Sequence, residues 1–466
     1  MLKKATPTFL LITLLFVFSC KKETFITSSN ALLRTSADTL FFDTVFTSVG
    51  SITQSFKIFN PNNQKLKLSA VQLMGGNSSF FKINVDGLPG VVFNDIEINA
   101  NDSIYVFAKV TINPNNALLP FVVRDSIRIA YNGNQRMVQL QAYGQNAHFL
   151  RNQRITQDTT WTNQLPIVVL GELTVDSAKT LTINKGTKIY CNANAPILVK
   201  GRMIAVGEKY DSTKIVFTGD RLDEPYRDFP GSWPGIYFLT GSNNNLLQHC
   251  IIKNAYQGII TQNPNNNSNA KVTLKECIID NIYDIAVGAQ NSSITAENCL
   301  ISNCGYNIFI TAGGNYNFNH CTVTSYGNFY LPHKYPVLTI SNAINNTVGN
   351  NLTANFTNSI FYGEGGLPED EIVVTKIGNT TFNVNFNNTL YKVKNTEPAN
   401  TNFTGNKLKN VNPAFDTINV SRRIFNFRLK QGSPAVNAGT NTGLLLDLDG
   451  KNRNVGLPDL GCYELQ

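Results

Sequence analysis

LLQHCIIKN (246–254), TLKECIIDN (273–281), AENCLISN (296–303) and FNHCTVTS (318–325) share one pattern. Each has an apolar residue near its start, a cysteine, an apolar residue two places on, and Asn or Ser two places after that. A fifth copy, FTNSIFYG (356–363), places Ser359 in the cysteine slot. The slots are 27, 22, 22 and 38 residues apart. Those intervals are too long for a hairpin ladder and suit one turn of a solenoid. Side chains alternate faces along a strand, so Cys250/Ile252, Cys277/Ile279, Cys299/Ile301 and Cys321/Val323 are expected to point inward. Stacked parallel strands would hold successive cysteines about 4.8 Å apart with parallel side-chain vectors. A disulfide resists that geometry, so the four are expected to form a buried thiol ladder. Asn254, Asn281 and Asn303 are expected in the following turn, where Asn tolerates left-handed backbone.

The rest of the chain fits a strand-rich protein. Of 466 residues 42% are hydrophobic and only 15% charged, enough for two or three domains. The formal charge of +8 is spread thinly, without the Lys/Arg runs that track phosphates, so no nucleic acid is expected as a partner. Between 38 and 147, seven alternating segments (DTLFFDTVF, SITQSFKIFN, KLKLSAVQL, SSFFKINV, SIYVFAKVTI, DSIRIAY, RMVQLQAYG) are separated by turn clusters. They predict an immunoglobulin-like β-sandwich over 36–147. This order of elements resembles modules that precede repeat domains in bacterial surface proteins.

Lys3 and Lys4, the apolar run 9–18 and Val17-Phe18-Ser19-Cys20 resemble a bacterial lipoprotein signal peptide. The resemblance implies cleavage after residue 19, lipidation of Cys20 and a lipidated tether over 20–35. The protein is then expected to be exported and lipid-anchored to the outer membrane of a Gram-negative bacterium, facing the periplasm or the surface. The membrane partner is reached by the anchor, not by a spanning segment.

TLTINKGTKI (180–189), ILVKGRMIAVG (197–207) with IVFTG (215–219), and WPGIYF (233–238) resemble the opening coils of right-handed parallel β-helix proteins of the pectin-lyase-like superfamily. With the cysteine repeats, the resemblance implies an all-β chain whose β-helix occupies 148–395. GSPAVNAGTNTGLLLDLDGKNRNVGLPDLGCYE (432–464) resembles the C-terminal capping segment of such proteins and implies final coils and a cap over 396–466. Asp447, Asp449 and Asp459 there are candidate Ca²⁺ ligands, although a structural turn accounts for the same residues. No other cofactor is expected.

Chemistry is harder to place. The outward columns are expected to read His249, Glu276, Asn298, His320, Asn358 and Lys253, Asp280, Ser302, Thr324, with no stack of acids on adjacent coils. Lys253, Lys275, Glu276, Asp280 and Asp284, with His249, come nearest to a lyase-type constellation. The competing reading is an ordinarily charged solvated face. The insertion 220–228 (DRLDEPYRD) brings Tyr226 close to Trp233 and Tyr237, three candidates for stacking on sugar rings, although Trp233 also suits the core. Asp-Ser/Thr triplets centred on Thr39, Thr44, Ser103, Ser126, Thr159, Ser177, Ser212 and Thr417 resemble a bacterial O-glycosylation sequon. Such a triplet also starts strands after turns. The expected function is non-catalytic binding of glycan or protein on a β-helix face. A polysaccharide lyase or glycoside hydrolase is the alternative, and a structural scaffold of an envelope assembly the third.

Overall fold

The computed structural model describes residues 24–47, 49–264, 267–344 and 349–466. The leader and Cys20 lie outside them. The chain is all-β and splits into two compact units, Met1–Asn146 and Ala147–Gln466. No helix among the described residues is long and apolar enough to cross a membrane.

The first unit has two five-stranded sheets. Alternation builds them: Asp102–Val110 buries Ile104, Val106, Ala108 and Val110 while Tyr105, Phe107 and Lys109 between them are exposed. One core, including Phe42, Phe56, Val71, Phe81 and Ile127, fills the space between the sheets. Pairing is antiparallel except where Asn134–Gln145 meets Thr39–Phe46 in parallel. All seven expected segments form strands. Leu88–Gly90 and Val92–Ile98 are additional strands, although GLPG (87–90) between two of the expected segments has the composition of a turn. The actual turn is Asp86-Gly87, both at positive φ, joining Val85 to Leu88. Asn132-Gly133 closes a second two-residue hairpin in the same way. Residues expected to be tether also pack on this unit. Ala31 and Leu33 are buried, and the Ile26 N–H donates to the Lys65 carbonyl at 2.8 Å.

The second unit is dominated by one 23-stranded sheet running from His148–Ile155 to Thr401–Lys409. Every pairing within it is parallel and joins a strand to its counterpart one coil away. The result is a large helix-like stack around a continuous apolar core. Pairing of Ile215 with Cys250, Ile251 with Ile278, Ile278 with Leu300, Leu300 with Thr322 and Thr322 with Ile360 aligns the repeats as read. Cys250, Cys277, Cys299 and Cys321 are fully buried free thiols, and Ile252, Ile279, Ile301 and Val323 beside them are fully buried too. Ser359 holds the next slot, and its hydroxyl accepts the Cys321 N–H at 3.1 Å. Deeper in the core Phe318, Phe356, Phe386 and Phe403 stack in register with centroids 5.4, 4.9 and 4.4 Å apart.

Single left-handed residues turn the chain at the corners. Asn254, Asn281 and Asn303 have φ of 62°, 56° and 51°. The pre-cysteine column does the same: His249, Glu276, Asn298, His320, Asn358 and Asn388 all have φ between 45° and 55°. Asn is the residue most at ease there apart from Gly, which explains its abundance. Gly235 of the WPGIYF segment has φ 126°, and a Cβ there would fall 1.8 Å from the Gln257 carbonyl oxygen.

Of the 396–466 segment expected to form final coils and a cap, Thr401–Lys409 adds a parallel strand to the stack, and the residues beyond it pack on the flank. The antiparallel hairpin Phe415–Asn419/Ile424–Leu429 and the tail beyond it bury Leu300, Ile360 and Leu390 with Phe415, Phe427, Leu429, Ala435 and Leu460. Leu300 and Ile360 occupy the face of the cysteine strands opposite the thiols, so that face is apolar and needs a cover.

Candidate functional site

The corner columns and the tail together build the polar features of the second unit. The side-chain amide of Asn298 donates to the Leu446 carbonyl at 2.8 Å. That of Asn358 donates to the Thr440 carbonyl at 2.7 Å and lies 2.8 Å from His320 Nε2. Asn298, His320 and Asn358, expected to face solvent, are therefore buried. Arg453 is fully buried and spans tail and coils. Its guanidinium donates to Asn298 Oδ1 at 2.8 Å, to the Gly461 carbonyl at 3.0 Å and to Glu464 Oε2 at 3.1 Å.

The same network accounts for the candidate Ca²⁺ ligands. Asp447 accepts the backbone N–H groups of Asp449, Lys451 and Glu464. Asp459 accepts those of Asn437 and Leu465. Asp449 is held by Arg428 at 2.6 and 2.8 Å. Among the described residues no three His, Cys, Asp or Glu side chains group as a metal site. These carboxylates tie down a turn-rich tail.

The candidate catalytic residues do not form one patch. Lys275 pairs with Glu297 at 2.9 Å. Asp284 accepts from the Gln257 amide at 2.8 Å, beside a run of tyrosines in which Tyr256 and Tyr283 stack at 5.5 Å. Glu276 and His249 line a cavity of about 440 Å³ with Glu208, Tyr210, Leu446 and Asp447. Burial raises the Glu276 carboxyl, against hydrogen bonds from Asn298 and Gln248, and lowers the His249 imidazole. Lys253 and Asp280 face a different cleft. The separation follows from the corners: position 276 precedes the short strand and position 280 ends it, so the two line different cavities.

The Lys253/Asp280 cleft, of about 350 Å³, is lined almost wholly by polar and charged residues. It is lined by the coil corner (Lys253, Asn254, Asp280, Asn281, Asn303), the insertion loop (Arg227, Asp228), Asn328, and the tail hairpin (Arg422, Arg423, Phe425). The asparagine corners position the loop. The Asn254 amide donates to the Arg227 carbonyl at 2.7 Å and the Asn281 amide to the Asp228 carbonyl at 2.9 Å. Arg423 reaches Asp228 at 3.4 Å and covers the Tyr330 ring at 4.7 Å. Phe229 bridges Tyr330 and Tyr226, with centroids 4.7 and 5.1 Å away. Asp280 pairs in register with Lys253 and Ser302, and the Ser302 hydroxyl donates to it at 2.6 Å. Burial pushes the Asp280 carboxyl up to about 6 despite that bond and the nearby Lys253.

The stacking candidates part company. Trp233 is fully buried, with its indole N–H on the Lys253 carbonyl at 2.9 Å, so it is a core residue. Tyr237 is half-buried and its hydroxyl donates to the Pro234 carbonyl. Tyr226 alone of the three is exposed (42%), and the Arg221 guanidinium lies over its ring at 4.1 Å. Of the sequon-like triplets, Ser177, Ser212 and Thr417 are exposed and Thr39, Thr44, Ser103, Ser126 and Thr159 half-buried. Thr39 and Thr159 open strands. The sequence singled out the insertion 220–228 that carries Asp228 but gave no sign of Arg422 and Arg423, which lie in a tail hairpin without a motif.

No protein-family model matches the chain, and no curated protein matches it. Among solved structures, similarity is found to a family 123 glycoside hydrolase from Clostridium perfringens, studied for glycolipid glycan hydrolysis. Identity is 13% and the TM-score 0.17, over 24% of this chain and 25% of that one. The chain thus spans about a quarter of the length of that hydrolase. Similarity is also found to an ASH/PapD-like domain of human CEP192, at 11% identity and TM-score 0.18, over 27% of this chain and 91% of that domain. Similarity at this level assigns neither a family nor an activity.

Proposed function

We propose that this chain is an exported bacterial lipoprotein, anchored through Cys20 to the outer membrane, that binds glycan on the flank of its second unit without catalysis. The first unit is read as an immunoglobulin-like sandwich acting as a spacer. The second is read as a right-handed parallel β-helix of the pectin-lyase-like superfamily, and the coil-to-coil pairing of its parallel strands supports that reading. The observation that carries the functional reading is the cleft between insertion loop, coil corner and tail hairpin. Charged groups converge there beside the Tyr226–Phe229–Tyr330 aromatic cluster, the combination of polar groups and rings that suits sugars. A glycan array probed with the full mature chain, run beside a depolymerisation assay, tests it. Binding without release of oligosaccharides is expected. Absence of binding together with co-purification of outer-membrane proteins would favour the scaffold role instead.

One observation favours the enzymatic alternative. Asp280, with its carboxyl pushed up to about 6, shares the cleft with a second carboxylate, Asp228. Two carboxylates in different environments can divide acid and base roles in glycoside hydrolysis. Under that reading oligosaccharides are released, and Asp280→Asn abolishes their release.

A further inference from the structure

The charges of the cleft do not balance. Four cations, Arg227, Lys253, Arg422 and Arg423, meet two carboxylates, Asp228 and Asp280. Asp228 is shared by Arg423 at 3.4 Å and Arg227 at 3.8 Å, and Arg227 also pairs with Glu224. Asp280 accepts from the Ser302 hydroxyl and makes no direct ion pair with Lys253 among the described residues. Among the described residues neither Lys253 nor Arg422 makes an ion pair. Cations that outnumber the carboxylates around a concave site are recognition elements for an anion that brings its own oxygens.

We propose that this cleft binds an oxyanion, the sulfate or phosphate ester of a saccharide, with Lys253 and Arg422 as its principal contacts and Arg423 as a third donor. The assignment rests on the glycan-binding reading and adds the chemical class. The three cations come from distant parts of the chain, Lys253 from a coil corner and Arg422 and Arg423 from the tail hairpin. The loop opposite is fixed by Asn254 and Asn281 amides on its carbonyls, so the opening keeps its width before a ligand arrives. A volume of about 350 Å³ suits one substituted sugar residue.

Titration of the full mature chain with inorganic sulfate and inorganic phosphate, read by calorimetry at low ionic strength, tests this. Saturable one-site binding is expected for at least one anion. Arg422→Ala and Lys253→Gln are each expected to weaken it about ten-fold or more, since a charge-assisted hydrogen bond is lost. Lys82→Ala, an exposed site on the first unit, should leave it unchanged. Arg422 is itself exposed, so its variant should keep the native melting temperature. A preference for sulfate identifies a sulfated sugar and a preference for phosphate a phosphorylated one. No saturable binding, or binding indifferent to both variants, overturns the proposal. If anions bind but the glycan array is blank, the cleft chemistry stands and the glycan reading falls. If the array is positive only for neutral glycans and no anion binds, the reverse holds.

Discussion

At the residue scale the corners carry the argument. His249 sits at φ 47° with its Nδ1 buried and without a hydrogen bond, in a column where Asn298, Asn358 and Asn388 adopt the same backbone. His249→Asn is expected to relieve that backbone cost and raise stability by about 0.5–1 kcal/mol, read as a higher melting temperature. Arg453 is the opposite case. Truncation to Ala would leave Glu464 and Asn298 Oδ1 buried without their donor, at a cost of about 3–5 kcal/mol in chemical denaturation. Asp280 sets a pH dependence. Its carboxyl lies near 6 in the fold, above its unfolded value near 3.9, so the native state holds the extra proton between those limits. Its contribution to stability is present below about pH 4 and is lost as pH rises through 6, on the order of 1–3 kcal/mol. Glu464, pushed up to about 7 by burial, acts in the same direction. The expected outcome is a stability–pH slope that is shallower in Asp280→Asn than in the native chain.

At the element scale, register is the quantity that matters. The cysteine slot, the aliphatic slot two places on and the phenylalanine stack all repeat with the coils. A one-residue slip would turn the whole inward set to the outside. Burial also pushes the Cys250 and Cys299 thiols well above their usual range, which removes thiolate and therefore reactivity. A thiol reagent should label none of the seven buried cysteines in native protein lacking Cys20, and all seven once denatured. Phe386→Ala, in the middle of the stack, is expected to cost about 3–5 kcal/mol in the same denaturation assay, because the rigid coils above and below cannot close on the cavity. The cysteine and aliphatic slots were readable from LLQHCIIKN and its copies, because a repeating coil offers each residue the same neighbours; the phenylalanine stack was not, since Phe386 and Phe403 lie outside those copies. Val92–Ile98 was not readable as a strand, since the Leu88-Pro89-Gly90 signals beside it mimic a turn.

At the scale of the molecule, the tail is the element that turns a stack of coils into a surface with clefts. It covers Leu300, Ile360 and Leu390 and lends Arg422 and Arg423 to one cleft and Leu446 and Asp447 to another. Truncation after residue 410 should expose that apolar face, shown by increased binding of a hydrophobic dye, and abolish anion binding together with the cleft. The sequence by itself determined the all-β class, the parallel coils, the inward cysteines and the asparagine corners, because each depends on neighbours a fixed step away. It suggested Lys253 and Asp280 but grouped them with Lys275, Glu276 and Asp284, and it left the carboxylates of the tail open between Ca²⁺ ligands and a structural turn. Only the tertiary structure decided that Asn298 meets Leu446 and Arg453, and that Arg423 meets Asp228 across 195 residues of chain. Those contacts follow no period. They arise where the apolar flank of the coils had to be covered, and the covering segment brought its charges with it.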